Sequence, residues 1–553
     1  MEKIVAIIHY NTPELTEAAI WSLRKHGGQD YKVVLFDNST ERPFRKPIQG
    51  VEVIDNTKGQ VIDFDKALAK FPHRNRAIGC ARGNEFGSAK HMMTVQKLWE
   101  LLPDGFVLME SDILLKKSID EFFNPEYSVV AYIQKEQPRN RFRIGRVLPM
   151  LCWMNVPKFR AEKVKYFDPK RSWGLKADEN DRTNWYDTGA SLLEDILSNR
   201  PRLKGLHIDI TLFVEHYGSA SWMHNFRKEH IEWLTQHKDL WQPTEWPHVE
   251  TDKIALCAIG RLENRYAKEW VDYHLKLGFD KIFIYDNNHD GEEHFEDVMK
   301  TQITKGKVEI VDWRNRSHQQ CAAYQDFYEK HGHEYAWTAF LDFDEFLEVE
   351  QGVFLSSVLG QTKASVVKMN WECYGDNGLV KADKRKVQTR FTTPLPADIQ
   401  VKERAHKDNQ LTKCFVRGGL PWTVWTNPHC PKVPGTYAYI DGKPCDGTSL
   451  HHPDYTVARV KHYLTKTIEE WMTGKVVRGE GSNPANTEIL RKNAIDIFFR
   501  YNERTPEKDQ WLKDNGYIEK KLLANNLQTI GKQFTNCWQT ILQLLANNKK
   551  TDI

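Results

Sequence analysis

The chain has 553 residues, 40% of them hydrophobic and 28% charged, and its 78 basic and 75 acidic side chains leave a net charge of +3. That length exceeds what one compact core organises, and so balanced a charge gives no reason to expect a nucleic-acid partner. Nine cysteines without a C-x-x-C pair exclude finger-type zinc spacing and point to a reducing compartment with mostly buried thiols.

The chain opens on KIVAIIHY, an apolar strand rather than a basic leader followed by an apolar run. Nowhere does an apolar run approach the roughly 20 residues of a membrane helix. The expectation is a soluble, cytoplasmic protein, at most peripheral to a membrane.

Residues 3–38 read KIVAIIHYNTPELTEAAIWSLRKHGGQDYKVVLFDN. Strand, turn, helical pattern (Leu15, Ala19, Leu23) and a second strand form a βαβ opening of a parallel sheet. Residues 253–287, KIALCAIGRLENRYAKEWVDYHLKLGFDKIFIYDN, repeat the plan, with Gly278 as a helix stop. In each, the second strand ends in Asp-Asn, at Asp37 and Asp286. The parallel continues in FVLMESDILL, which ends its apolar run in Glu110-Ser111-Asp112, and in TAFLDFDEFL, with Asp342-Phe343-Asp344. A late histidine follows in each half, His216 in FVEHYGSASW and His429 in TNPHCPKV.

An order repeated at about 250 residues predicts two domains of one fold in tandem. We place them at 1–236 and 253–483, joined by the linker 237–252 and followed by a helical region over 484–553. In that last region Leu523, Leu527, Ile530, Phe534, Trp538, Ile541 and Leu545 recur at spacings of three and four, an apolar stripe to pack on the protein or on a membrane surface.

Carboxylates at strand ends need compensation. An Asp-x-Asp at the C-terminal edge of a parallel sheet, where such folds bind ligands, suits Mn²⁺ or Mg²⁺ held by oxygen ligands. That ion bridges a diphosphate and neutralises a departing phosphate oxygen, which is the need of transfer from a nucleotide-sugar. A late histidine supplies a nitrogen ligand. Trp371, Trp422 and Trp425 suit either sugar stacking or core packing. GKVVRGEGSN (474–483) lacks the spacing of a phosphate-binding P-loop and reads as a loop near the site.

Both halves resemble glycosyltransferases of the GT-A fold, an α/β, Rossmann-like architecture with a mostly parallel sheet. HYNTPELTEAAIWSL, VVLFDNS, GFVLMESDILL and VEHYGSASW are similar to inverting family 2. RLENRYAKEWVDYHLKLGFDKIFIYDNN, FLDFDEFLEV, NWECYGDNG and HYLTKTIEEWMTGKVVRG resemble family 92 and related enzymes. The resemblance implies that Asp37 and Asp286 contact the nucleobase or ribose. Glu110 and Asp342 then face the diphosphate, and Asp112, His216, Asp344 and His429 ligate the metal. An inverting reaction also needs a general base, for which Asp187 in NWYDTGASLLEDI and Asp376 in YGDNG are the candidates, Glu372 being the rival in the second half. His462 and Lys466 fall where family 92 places phosphate-facing or acceptor-side residues. The implied donors are UDP-sugars, UDP-galactose in the second domain, and the implied acceptor is an oligosaccharide or lipid-linked glycan of a bacterial capsule or lipopolysaccharide. The alternative is that only the second domain is catalytic and the first binds carbohydrate or acts as a scaffold.

Overall fold

The computed structural model describes residues 2–27, 30–59, 87–135, 145–167, 188–198, 200–218, 220, 226–244, 246, 249–351, 353–399, 407–481 and 483–518. Asp187 and the apolar stripe beginning at Leu523 lie outside the described residues. Two compact units are present, 1–248 with 419–422, and 249–418 with 423–553. The division at 248/249 falls inside the stretch read as a linker.

In the first unit, β1 (Ile4–His9), β2 (Lys32–Asp37), β3 (Val51–Asp55) and β4 (Phe106–Glu110) are mutually parallel in the order β3-β2-β1-β4. Beyond the short β5 (Ile113–Leu115) come β6 (Val129–Gln134), β7 (Arg146–Met154) and β8 (Gly205–His207). They extend the sheet as β4-β7-β6-β8, β7 lying antiparallel to both its neighbours. A separate ribbon pairs β5 antiparallel with β9 (Val214–His216). The central strands are apolar on both faces, and Val5, Ala6, Ile7, Val107 and Leu108 are fully buried, as expected where helices cover a parallel sheet.

The second unit repeats this plan. β10 (Ile254–Gly260), β11 (Lys281–Asp286), β12 (Val308–Asp312) and β13 (Trp337–Phe340) are parallel in the order β12-β11-β10-β13. After β14 (Glu345–Val349), β15 (Val366–Cys373), β16 (Thr412–Arg417), β17 (Tyr437–Tyr439) and β18 (Pro444–Cys445) complete the sheet as β13-β16-β15-β17-β18. β14 pairs antiparallel with β19 (Ala458–His462). The order and directions of the main-sheet strands match the first unit, with β18 as an addition, but here the side ribbon is joined to the sheet because β19 also pairs parallel with β15. The α/β class and mostly parallel sheets expected from the sequence are those observed.

Helices lock the sheet edge in place. The helix Asn264–Leu277 buries Ala267, Trp270, Val271 and His274 on one stripe and ends at Gly278, whose φ of 119° suits glycine. Its Trp270 donates through Nε1 to the Glu345 carbonyl at 2.7 Å, fixing the chain just after the acidic motif. Toward the C-terminus, the helices Pro484–Lys492, Ala494–Tyr501 and Pro506–Asp514 bury Leu490, Ile497, Phe498 and Trp511 in one cluster with Ile468 and Trp471. Residues 484–514 therefore pack with the Ile468–Trp471 run of the second unit in one apolar cluster. Among the described residues no helix is long and apolar enough to cross a membrane.

Candidate functional site

Strand register brings the predicted acids to equivalent places. His9 lies opposite Asp37 across β1 and β2, and Gly260 opposite Asp286 across β10 and β11. Ile8 faces Glu110 in the next pair of strands. Cys257 faces Phe340, two residues short of Asp342. Both acidic motifs thus leave the sheet at its C-terminal edge.

Asp37 and Asp286 are buried and hold the turns that follow them. Asp37 accepts the Ser39 N–H at 2.9 Å and the Phe44 N–H at 2.7 Å. Asp286 accepts the Asn288 N–H at 3.0 Å and its side-chain amide at 2.7 Å, and receives Nε and Nη2 of Arg314 at 3.1 and 3.0 Å.

In the first unit the acids and the late histidine converge: ligand atoms of Glu110, Asp112 and His216 all lie within 4.8 Å of one another. The ribbon is the cause, because Ile113 pairs with His216 and the Tyr217 N–H bonds the Asp112 carbonyl at 3.0 Å. His216 Nε2 stands 3.5 Å from Asp112 Oδ1. Burial works to lower the imidazole pKa, but the hydrogen bond and charge of Asp112, helped by Glu110 and Glu215, prevail and raise it. Two carboxylates and one imidazole form a donor set that fits Mn²⁺ or Mg²⁺.

In the second unit the histidine beside the motif is His462, not His429. Glu345 pairs with His462 in the β14–β19 ribbon, and the Tyr463 N–H bonds the Asp344 carbonyl at 2.8 Å. This repeats the Ile113–His216 and Tyr217–Asp112 arrangement. His462 Nε2 lies 3.8 Å from Asp344 Oδ1. His429 instead meets the Thr412 carbonyl through Nδ1 at 3.0 Å and packs edge-on to Trp371. Burial, with Lys413 adding repulsion, lowers its pKa to about 3. The signal for His462 was in the sequence: V-E-H-Y at 214–217 and V-K-H-Y at 460–463 are the true pair.

The Asp-x-Asp acids are compensated from within the protein. Asp342 Oδ1 accepts from Gln320 Nε2 at 2.6 Å and Tyr324 Oη at 3.1 Å, and Lys413 Nζ lies 3.0 Å from Oδ2. Lys413 also sits 3.3 Å from the fully buried Glu345, whose carboxyl is pushed up to about 8, chiefly by burial. Asp344 Oδ2 faces Arg478 Nη2 at 3.7 Å, and Arg478 is also paired with Glu263.

Asp376 does not take the position expected of a base. Its Oδ1 accepts the Gly378 N–H at 2.8 Å, its own N–H donates to Asn502 Oδ1 at 2.7 Å, and its other oxygen is paired with the fully buried Lys508. A carboxylate so paired holds the C-terminal helices to the loop after β15. The rival, Glu372, accepts the Tyr374 hydroxyl at 2.7 Å and lies 3.4 Å from Arg459. Topology gives the reason for the mismatch. Asp187 belongs to the connection between β7 and β8, whereas Asp376 follows β15; the corresponding connection, 418–436 between β16 and β17, has no acidic residue. Trp425 is buried against Phe340, with ring centroids 4.5 Å apart, and so belongs to the core.

A cleft of about 280 Å³ opens at this edge of the second unit. Asp342, Asp344 and Gly260 line it together with the cations Arg261, Arg316, Lys475, Arg478 and Arg491 and the acids Glu263 and Glu480. A Cβ at Gly260 would come within 2.5 Å of the Phe343 ring, so only glycine lets the chain pass here. The stretch read as a loop over 474–483 lines the cleft, and its first half is helical: Trp471–Lys475 form a π-turn that runs into the helical Val476–Arg478.

The cleft lies at the C-terminal edge of parallel strands, where ligands bind in open α/β sheets, and its lining mixes carboxylates with cationic side chains. Residues 263–487, which carry most of its lining, match the model of glycosyltransferase family 92. A family 92 protein of Oryza sativa subsp. japonica is 28% identical over 160 residues, covering 28% of this chain and 27% of that protein. One of Ricinus communis is 27% identical over 260 residues, covering 41% of each. The chain thus spans well under half the length of the curated relatives it matches. Among solved structures, the glycosyltransferase GlyE of Streptococcus pneumoniae TIGR4 aligns at a TM-score of 0.25 and 10% identity, over 57% of this chain and 94% of that one. The galactosyltransferase LgtC aligns at 0.24 and 14%, over 42% and 96%.

Proposed function

We propose that the second unit is a glycosyltransferase using a nucleotide-sugar donor, and that the first unit is a second domain of the same GT-A kind. The observation that carries the reading is the cleft at the end of β10 and β13, where Asp342-x-Asp344 lies beside Lys475 and Arg478 within the family-matched segment. An acceptor hydroxyl oxygen attacks the anomeric carbon as the bond to the diphosphate oxygen breaks. The nucleoside diphosphate leaves with the electron pair, and the hydroxyl proton passes to a base. Inversion at the anomeric carbon, UDP-sugar donors (UDP-galactose for the second unit) and a surface-glycan acceptor of the capsule or lipopolysaccharide kind belong to this proposal.

A divalent cation, when bound, supplies charge to the departing diphosphate. In the first unit Glu110, Asp112 and His216 would hold it; in the second, Asp344 and His462. Asp342 serves instead as the anchor that binds the strand end to Gln320, Tyr324 and Lys413.

The test is hydrolysis and transfer with a panel of nucleotide-sugars and Mn²⁺, on the full chain and on Asp112→Asn and Asp344→Asn. Activity that disappears only in Asp344→Asn assigns catalysis to the second unit and leaves the first a binding or scaffolding role. No turnover of any nucleotide-sugar by the full chain would refute the proposal.

A further inference from the structure

The helical run from Ile468 to Arg478 contains an irregularity at the cleft. Between the α-turn Ile468–Glu470 and the α-turn Val476–Arg478 lies one π-turn, Trp471–Lys475. A π-turn sacrifices regular hydrogen bonding and is retained mostly where it aims a side chain at a functional site. Here the run is held rigidly on its far side. Trp471 is buried and donates through Nε1 to the Ala494 carbonyl at 2.9 Å. Glu470 makes a buried bidentate pair with Arg390 at 2.8 Å on both arms. The inserted turn ends on Lys475, and Arg478, three residues on, shares its face. Both line the cleft.

The geometry points to Lys475 and Arg478 as a fixed pair of cations that bind the diphosphate of the donor directly, beside the carboxylate of Asp344. Each has the surroundings this task requires. Lys475 Nζ has Glu480 at 3.8 Å, a contact too long to use up its three donors. Arg478 is braced by Glu263 and reaches to 3.7 Å from Asp344. With Glu263 fixing one side of the guanidinium, the group is preorganised for an incoming phosphate and needs little side-chain ordering on binding. Gly479, at φ 81°, turns the chain immediately afterwards, and a Cβ there would meet Thr487 at 2.6 Å; Arg478 is therefore the last side chain the run presents before that turn. The inference rests on the donor reading above and deepens it. Two arginine- and lysine-type contacts to one diphosphate predict that affinity rises with the number of phosphates and that the increment resides in these two residues.

The test measures dissociation constants of UDP, UMP and uridine, with GDP and GMP as a second series, by calorimetry on the full chain with Mn²⁺ and with EDTA. Lys475→Ala and Arg478→Ala are each expected to weaken the diphosphate about tenfold. Nucleoside affinity should stay within about twofold, so the ratio of diphosphate to nucleoside affinity collapses. Arg478→Lys, which keeps the charge and guards against loss of the Glu263 contact as a folding defect, should recover part of the ratio. The expected loss is present in EDTA as well as in Mn²⁺. Variants that lose diphosphate and nucleoside equally, or neither, overturn the assignment while leaving the donor reading intact. A wild-type chain that binds no nucleoside diphosphate overturns both.

Discussion

The two units place the same acids at the same edge of the same sheet and then compensate them differently. In the first, Glu110, Asp112 and His216 converge within 4.8 Å, a geometry that an external cation completes. In the second, Asp342 is bound by Gln320, Tyr324 and Lys413, while Asp344 stands between His462 and Arg478. The neighbouring strand differs in step. Where Gly260 lines the second cleft, the first unit has His9, fully buried, with Nδ1 2.7 Å from Thr16 Oγ1 and Nε2 3.1 Å from the Arg42 carbonyl. At this register the second unit has a residue without a side chain and the first a buried imidazole. Topology is therefore the shared part, and charge compensation is where the two diverge.

The largest effect that separates them is catalytic. Asp344→Asn should lower transfer by about 100-fold or more, since an acid facing the departing diphosphate acts where charge develops. Asp112→Asn either does the same to a second transfer step or leaves all transfer intact, and steady-state rates decide which. Next in size is stability. Removing the partner of a buried carboxylate costs about 3 kcal/mol or more, so Lys508→Ala should shift the denaturation midpoint of the second unit strongly. Asp112→Asn should leave that midpoint in place. A catalytic role for Asp376 would instead show as lost turnover in Asp376→Asn with unchanged unfolding.

Smaller is the cation response. Saturating Mn²⁺ should raise the melting temperature by about 3 °C or more, and His216→Ala should remove that rise. If the rise disappears with His462→Ala instead, the preference for the first unit is reversed. Smallest is the pH dependence. His274 is buried, with Nδ1 2.9 Å from the Trp270 carbonyl and the Leu347 N–H donating to Nε2 at 3.2 Å, and burial lowers its pKa to about 3. A lowered folded value means its contribution is complete above about pH 6.5 and is lost as pH falls toward 3, by about 1.4 kcal/mol per pH unit at most. His216, with a raised value, works the other way: its contribution is present below about pH 6.5 and fades as pH rises through the folded value. Urea midpoints from pH 8 to 5, compared with those of His274→Gln, resolve the two slopes.

Much of the fold was legible because apolar runs such as IVAIIH and KIFIYD are buried on both faces and leave no other reading. The acidic strand ends were legible for the same reason, charges at the end of a core strand being costly unless the site uses them. The histidine was not, because its place depends on a ribbon joining β14 to β19 across more than a hundred residues, and distance along the chain from a strand does not report that pairing. The repeated V-x-H-Y carried the information. Asp376 misled for a different reason: an acid in a glycine-flanked turn looks exposed until Lys508, over 130 residues away, is brought against it. Lys475 and Arg478 were not legible because a π-turn has no residue signature, and it is this turn that sets the direction of both relative to the buried Trp471.

The three C-terminal helices have a consequence for how such a unit can be inherited. The family signature stops at residue 487, yet Leu490, Ile497, Phe498 and Trp511 complete the cluster around Trp471, and Lys508 neutralises Asp376. A stop codon at the end of the signature would expose the apolar backing of the run that carries Lys475 and leave a buried charge without its partner. A transplanted copy of this unit that keeps its packing needs residues 488–514 as well, although they lie beyond the signature.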